Sequence, residues 1–211
     1  MDHPLKIKEL DLIELEDQLA KRIRELDFRR YGSEPNYNPA LVTKLDGFSF
    51  SGSNFSVSLS GSTMTNDKHG SEPPSGADLA ISADIHQGKE SKRKAVLVQC
   101  KRRSLLRNSK ERERLIGQIE KMERITKHPK VLVIEEYQGA IPSIQSGSTI
   151  LKGSHPREFA LSSWLARRFI RTFDGDTRKH VYEAAQSADL DRIWVKAEFE
   201  SRDEQPFALK T

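Results

Sequence analysis

The sequence predicts an α/β domain around a mixed central sheet flanked by helices, with a helical C-terminal extension. Three observations carry this. Residues 9–28 repeat apolar side chains at steps of three and four; residues 48–59 alternate apolar residues with serine; later apolar runs of strand length are separated by a second helical repeat.

In the first helix, Leu12, Leu15, Leu19, Ile23 and Leu26 line one stripe, and most other positions are charged. The pattern stops near Arg30, where Gly32 and Pro35 supply a break. Phe48 and Phe50 alternate with serines, as do Phe55, Val57 and Leu59. Ser51 to Asn54 reads as the turn of a hairpin with one buried face. Residues 61–76, rich in Gly, Ser and Pro, read as a loop that delivers the chain to Asp78. Residues 77–85 and 95–101 are apolar runs fit for the interior of a sheet, with a charged linker, 88–94, between them.

Residues 110–126 predict a helix with Leu115, Ile119, Met122 and Ile125 inward, and Val131 to Ile134 a further short strand. Strand, helix and strand in this order suit a β-α-β crossover. Residues 156–173 and 176–188 read as helices, with Trp164 and Phe169 in the core, and residues 193–199 as a late edge strand. The chain therefore divides into a core at 1–150 and a helical extension packed on it at 151–211.

With 211 residues, 36% apolar and 31% charged, the chain can pack one core of ordinary size and is not of disordered composition. Cys100 is its one cysteine, so no disulfide forms within it. The N-terminus lacks the apolar run of a signal peptide, and no stretch approaches the ~20 apolar residues of a membrane span. The expected location is the cytoplasm, with no membrane partner. The net charge of +4 is unevenly spread: Lys89 to Arg114 holds eleven Lys and Arg against three acids, a net of +8. Such a segment suits phosphate binding by nucleic-acid partners; a solvated polar face is the alternative.

The chemistry lies in Val96-Leu97-Val98-Gln99-Cys100-Lys101. Residues two apart on a strand share a face, so Gln99 and Lys101 point one way and Cys100 the other. A lysine closing an apolar strand is costly to bury unpaired. If the strand at 77–85 runs antiparallel beside it, its start meets this end and Asp78 reaches both. Asp84 shares the Asp78 face but lies about 20 Å away along the strand, and His86 reads as an exposed turn residue. A carboxylate, an amide and an ammonium together suit phosphodiester hydrolysis. Asp78, the Gln99 oxygen and the Cys100 backbone carbonyl can ligate Mg²⁺, and Lys101 can orient or deprotonate a water and stabilise the transition state.

Ser75-Gly76-Ala77-Asp78-Leu79 followed by Val98-Gln99-Cys100-Lys101 resembles the PD-(D/E)xK nuclease superfamily. It most resembles the Q-x-K members, the Mrr-type restriction endonucleases and related phage-defence nucleases. The resemblance covers about residues 10–135. It implies a restriction-endonuclease-like sheet and cleavage of DNA, more than RNA, with Mg²⁺ or Mn²⁺, commonly leaving 5′-phosphates. It adds Glu72, shortly before Asp78, and Glu16, beside the stripe of the first helix, as acidic site residues; Glu14 and Glu25 point further away. Gln118 falls where many members carry a functional glutamine, although Met122 replaces the tyrosine that often follows. Arg102, Arg103, Arg107 and Lys110 join Gln118 as expected nucleic-acid contacts. A homodimer, or a subunit of an antiviral defence system, is left open as the assembly. Two departures stand out. Ala77, not proline, precedes Asp78, and Gln99 replaces the usual acid, lowering metal affinity unless Glu72 or Glu16 compensates. A nucleic-acid-binding or interaction module without chemistry is the alternative.

Overall fold

The stripe of the first helix is realised in α1 (Glu9–Arg24), whose Leu12, Leu15, Leu19 and Ile23 are all fully buried. Burying each such side chain contributes about 1.5–3 kcal/mol. The computed structural model describes residues 5–64, 73–154 and 156–200. The next helices were not expected. Gly32, at φ +71°, ends the short α2 (Phe28–Tyr31), and Pro35 lies in the first turn of α3 (Glu34–Leu45). Proline is tolerated there because the first N–H groups of a helix have no intrahelical partner. A residue pair read as a break is therefore a stop followed by a start.

The sheet begins with the expected hairpin, β1 (Phe48–Ser51) and β2 (Phe55–Ser62), pairing Phe48 with Leu59 and Phe50 with Val57. β3 (Leu79–Gln87) and β4 (Glu90–Arg102) form a second antiparallel hairpin, in register from Leu79–Val98 to Gln87–Glu90. Only Gly88 and Lys89 connect them, so the expected charged linker is mostly strand. Gly88 has φ +56°, as the first central residue of a type II′ turn requires. α4 (Ser109–Glu123) then crosses to β5 (Lys130–Ile134), which lies parallel to β4.

The C-terminal third departs from a helical extension. β6 (Ser143–Ser146), α5 (Gly147–Leu151) and β7 (Phe159–Ala160) precede α6 (Leu161–Trp164), which runs into a π-helical turn at Leu165–Phe169. After α7 (Lys179–Ala184), β8 (Asp191–Phe199) returns to the sheet. The strand order is β1-β2-β8-β3-β4-β5-β6-β7. β8 is thus central, antiparallel to β2 and parallel to β3, rather than an edge strand. Its alternation of buried Ile193, Val195, Ala197 and Phe199 with outward residues reads the same at an edge or in the middle. Position 150 consequently marks no end of the sheet, since β7 and β8 both follow it.

The sheet has a core on each face. Leu79, Ile81, Val96, Val98 and Cys100 pack with α1 and α3; Ala80, Ala95, Leu97, Val131 and Val133 pack with Leu115, Ile119 and Met122 of α4 and with Val181 of α7. Among the described residues no helix is long and apolar enough to cross a membrane.

Candidate active site

At the bend into β3, Ala77 and Ala80 both pack into the core beneath α4, while Leu79 between them enters the core on the other face. The Asp78 side chain is half-buried where the loop meets the strand. Two local bonds shape this entry: the Gly76 N–H donates to the Pro73 carbonyl at 2.9 Å, and the Ala77 N–H to Ser75 Oγ at 3.3 Å. Gly76 adopts φ +72°, which L side chains rarely adopt. The Asp78 N–H then donates to the Val98 carbonyl at 3.0 Å, extending the β3–β4 ladder by one step.

That step brings Asp78 beside Gln99. The Gln99 amide nitrogen donates to Asp78 Oδ2 in a short contact and to the Cys100 carbonyl at 3.2 Å. The same Asp78 oxygen accepts the Cys100 backbone N–H at 3.0 Å. Gln99 is 2% exposed, and among the described residues its Oε1 has no hydrogen-bond partner. Lys101, two residues on, is 6% exposed and reaches Glu111 Oε2 at 3.5 Å. Asp78 and Gln99 thus meet on the α4 side of the sheet, and Lys101 shares the Gln99 face with its amine against Glu111. The Cys100 thiol points into the opposite core, where burial above all, with Asp78 and Asp191 adding, pushes its pKa well up.

Glu111 is a member of this site that sequence reasoning missed. It lies in the first turn of α4, whose cap is the Asn108 side chain accepting the Lys110 and Glu111 N–H groups at 3.0 and 3.4 Å. In sequence, an acid in a first helical turn reads as a match to the helix dipole. Its approach to Lys101 depends on the 3₁₀ turn Ser104–Arg107, which no pattern announced.

Other expected members lie elsewhere. Glu16 is on α1, over the other core, and its carboxylate binds Arg167 at 2.5 Å, with Glu9 on the same guanidinium at 2.6 Å. The structure does not bring Glu16 to Asp78, because the wheel position beside the stripe faces the C-terminal helical segment. Glu72 and His69 lie outside the described residues. Asp84 sits far along β3, accepting from Tyr182 at 3.0 Å and pairing with Arg93 at 3.3 Å.

Of the basic segment, Lys94 and Lys101 are buried and Arg102 and Arg103 half-buried, while Lys89, Arg93, Arg107, Lys110, Arg112 and Arg114 are exposed. Arg102 meets Glu34 at 3.6 Å and Glu136 at 3.7 Å, and its backbone N–H donates to Glu34 at 3.0 Å. Arg103 is clamped by Glu135 and Glu158 at 2.7 and 2.6 Å, hydrogen bonds that hold its guanidinium pKa up. Neither is a ready phosphate contact, because carboxylates distant in sequence already lie against both charges. Arg107 and Lys110 are exposed and remain available. Gln118, expected to touch nucleic acid, is 3% exposed, its Oε1 without a hydrogen-bond partner among the described residues, and is packed in α4 against the entry loop.

The donor set suits one class of ion. Among the described residues no three His, Cys, Asp or Glu side chains gather to hold a metal. The groups that meet all carry oxygen: one carboxylate, one backbone carbonyl and an amide whose own oxygen is buried with no partner among the described residues. Hard divalent cations take such ligands; zinc, which favours His and Cys, does not fit. No family model, no curated protein and no solved structure matches this chain.

Proposed function

We propose that this chain is a divalent-metal-dependent phosphodiesterase with a restriction-endonuclease-like core, cleaving nucleic acid, DNA before RNA, at the group formed by Asp78, Gln99 and Lys101. The observation that carries the reading is the buried Gln99 amide. Its NH₂ group lies between Asp78 Oδ2 and the Cys100 carbonyl, positive hydrogens between two oxygens, while Oε1 has no partner among the described residues. Rotating an amide exchanges its two ends, so the same side chain can offer a third oxygen.

Asp78, Gln99 Oε1 and the Cys100 carbonyl would hold Mg²⁺ or Mn²⁺. Such an ion supplies charge neutralisation at the phosphate and a more acidic water. The chain's own groups do the rest. Asp78 is fixed by the Cys100 N–H and keeps its carboxylate oriented between pleats. Lys101 puts an amine on the same face, where it stabilises charge on the attacked phosphate or takes a proton from the attacking water. Glu111 is a positioning residue: it holds the Lys101 side chain, which has little room to wander at 7% side-chain exposure.

One observation favours a second reading, a nucleic-acid-binding module without chemistry: Gln99 stands where an acid would strengthen ion binding. The two separate cleanly. Plasmid DNA and RNA are incubated with Mg²⁺ or Mn²⁺ and wild type, Asp78→Ala or Lys101→Ala. Cleavage by wild type that stops with chelator, and is lost in both variants while thermal unfolding is unchanged, supports the enzyme. No cleavage with either ion, together with salt-sensitive binding indifferent to chelator and to Asp78→Asn, overturns it.

A further inference from the structure

Every outward position of β1 and β2 is serine, while the inward positions are the apolar residues of the core. Six serines in this pattern leave a hydroxyl-covered outer face. Next in the sheet is β8, whose outward residues are Arg192, Trp194, Lys196 and Glu198. Trp194 is 41% exposed. Its neighbours across the sheet are Ser60 on β2, which is exposed and too small to cover an indole, and Ser82 on β3, which is buried and accepts from the Gln186 amide at 3.2 Å. Arg192 and Lys196 stand two residues to either side, on the same row. Arg192 binds only neutral oxygens among its recorded partners, Gln186 O at 2.9 Å and Ser62 Oγ at 3.0 Å, so its charge is not cancelled there. Lys196 is met by Glu198 at 2.7 Å.

We propose that this face is a stacking platform for single-stranded nucleic acid, with Trp194 taking the face of one unpaired base and Arg192 the adjoining phosphate. Only an unpaired base has a free face to offer an indole, since duplex bases are covered by their neighbours. Trp194 shares a sheet face with Asp78, Gln99 and Lys101. The parallel register Leu79–Asp191 and Ser82–Trp194 puts it four residues beyond the row of Asp78 and one strand over. That is about 14 Å along the sheet, with Ala80 and Ser82 between them buried beneath Val181 and Gln186. This rests on the nuclease reading and narrows its substrate to single strands or duplexes with single-stranded ends.

The chain has two tryptophans, and Trp164 is buried, so fluorescence reports on Trp194. A dye-labelled oligothymidylate and a labelled blunt duplex of equal length are titrated with the full chain, in EDTA and low salt, affinity being read from dye anisotropy and quenching from tryptophan fluorescence. Quenching by the single strand, affinity lowered about five-fold to a hundred-fold in Trp194→Ala, and affinity restored by Trp194→Phe support the platform. Equal single-strand affinity in wild type and Trp194→Ala overturns it. So do equal binding of duplex without quenching, and a Trp194-dependent dimer that the oligonucleotide does not quench. Because EDTA excludes cleavage, binding through Trp194 by a chain that never cuts would leave the platform standing and the nuclease reading fallen. Lys101-dependent cutting without a role for Trp194 would do the reverse.

Discussion

Gly76 lies against α4 so closely that a Cβ on it would stand 2.5 Å from the Gln118 carbonyl oxygen and 3.0 Å from the Lys121 Cβ. The close approach locks the loop before Asp78 onto the helix that also carries Glu111. A residue with φ +72° adds its own strain if it is not glycine. Gly76→Ala is therefore expected to destabilise the fold by about 1–3 kcal/mol and to lower the proposed nuclease activity further than stability alone explains, because Asp78 shifts against Gln99. Denaturant unfolding and cleavage rates of the same preparation check this; a variant with wild-type values for both would show that the contact does not set the site.

Glu111 is tested through the substitution series Asp, Gln and Ala. It is partly exposed, so the cost to folding is expected below about 1 kcal/mol. Loss of the carboxylate frees Lys101, and the expected result is a fall in kcat of about ten-fold or more with KM little changed, in Glu111→Gln as well as Glu111→Ala. Glu111→Asp should recover part of it. Equal KM and kcat across the series would reduce the pair to a structural contact.

The positive segment makes a discriminating prediction about binding. Arg107→Ala and Lys110→Ala should each lower the slope of log affinity against log salt by about 1, as loss of one phosphate contact does. Arg103→Ala should leave that slope alone and instead lower stability by about 1 kcal/mol, since its guanidinium joins Glu135 to Glu158 at a partly exposed site. Binding isotherms at several salt concentrations, beside melting curves, separate the two effects.

Lys94 is 1% exposed, its ammonium donating to the carbonyls of Phe169 and Asp174 and lying 4.4 Å from the Phe169 ring centre. Burial, aided by the nearby Lys92 charge and opposed by Asp174, brings its pKa down from 10.5 to about 7. Below pH 7 folded and unfolded chains both hold this proton, and the burial cost is fully present. Between pH 7 and 10.5 the unfolded chain holds more protons, so stability from this group rises with pH. Relative to Lys94→Met, wild type should gain about 1–3 kcal/mol between pH 6.5 and 9.5, read from denaturant midpoints. A difference independent of pH would refute the assignment.

Much of the fold was legible because it rests on local patterns. The stripe of α1, the Phe-Ser alternation of β1 and β2, and the apolar runs of β3, β4 and β5 each declare which face is buried. Short elements with mixed signals were not: Gly32 and Pro35 concealed α3, and the segment read as one helix at 156–173 splits into β7, α6 and a π-helical turn. There Ile170 N–H bonds back to Leu165 at 2.9 Å, and Trp164 stacks on Phe169 at 4.9 Å.

The sequence by itself determined that Gln99 and Lys101 share a face and that an antiparallel neighbour would present Asp78 to them. Period-two alternation and a short reversing connection are properties of adjacent residues. Only the tertiary structure decided that β8 inserts between β2 and β3, that Glu111 meets Lys101 while Glu16 binds Arg167, and that carboxylates far along the chain take up Arg102 and Arg103. Those outcomes depend on which distant segments pack together. That choice is made by the summed burial and charge pairing of the whole chain, which no local window contains.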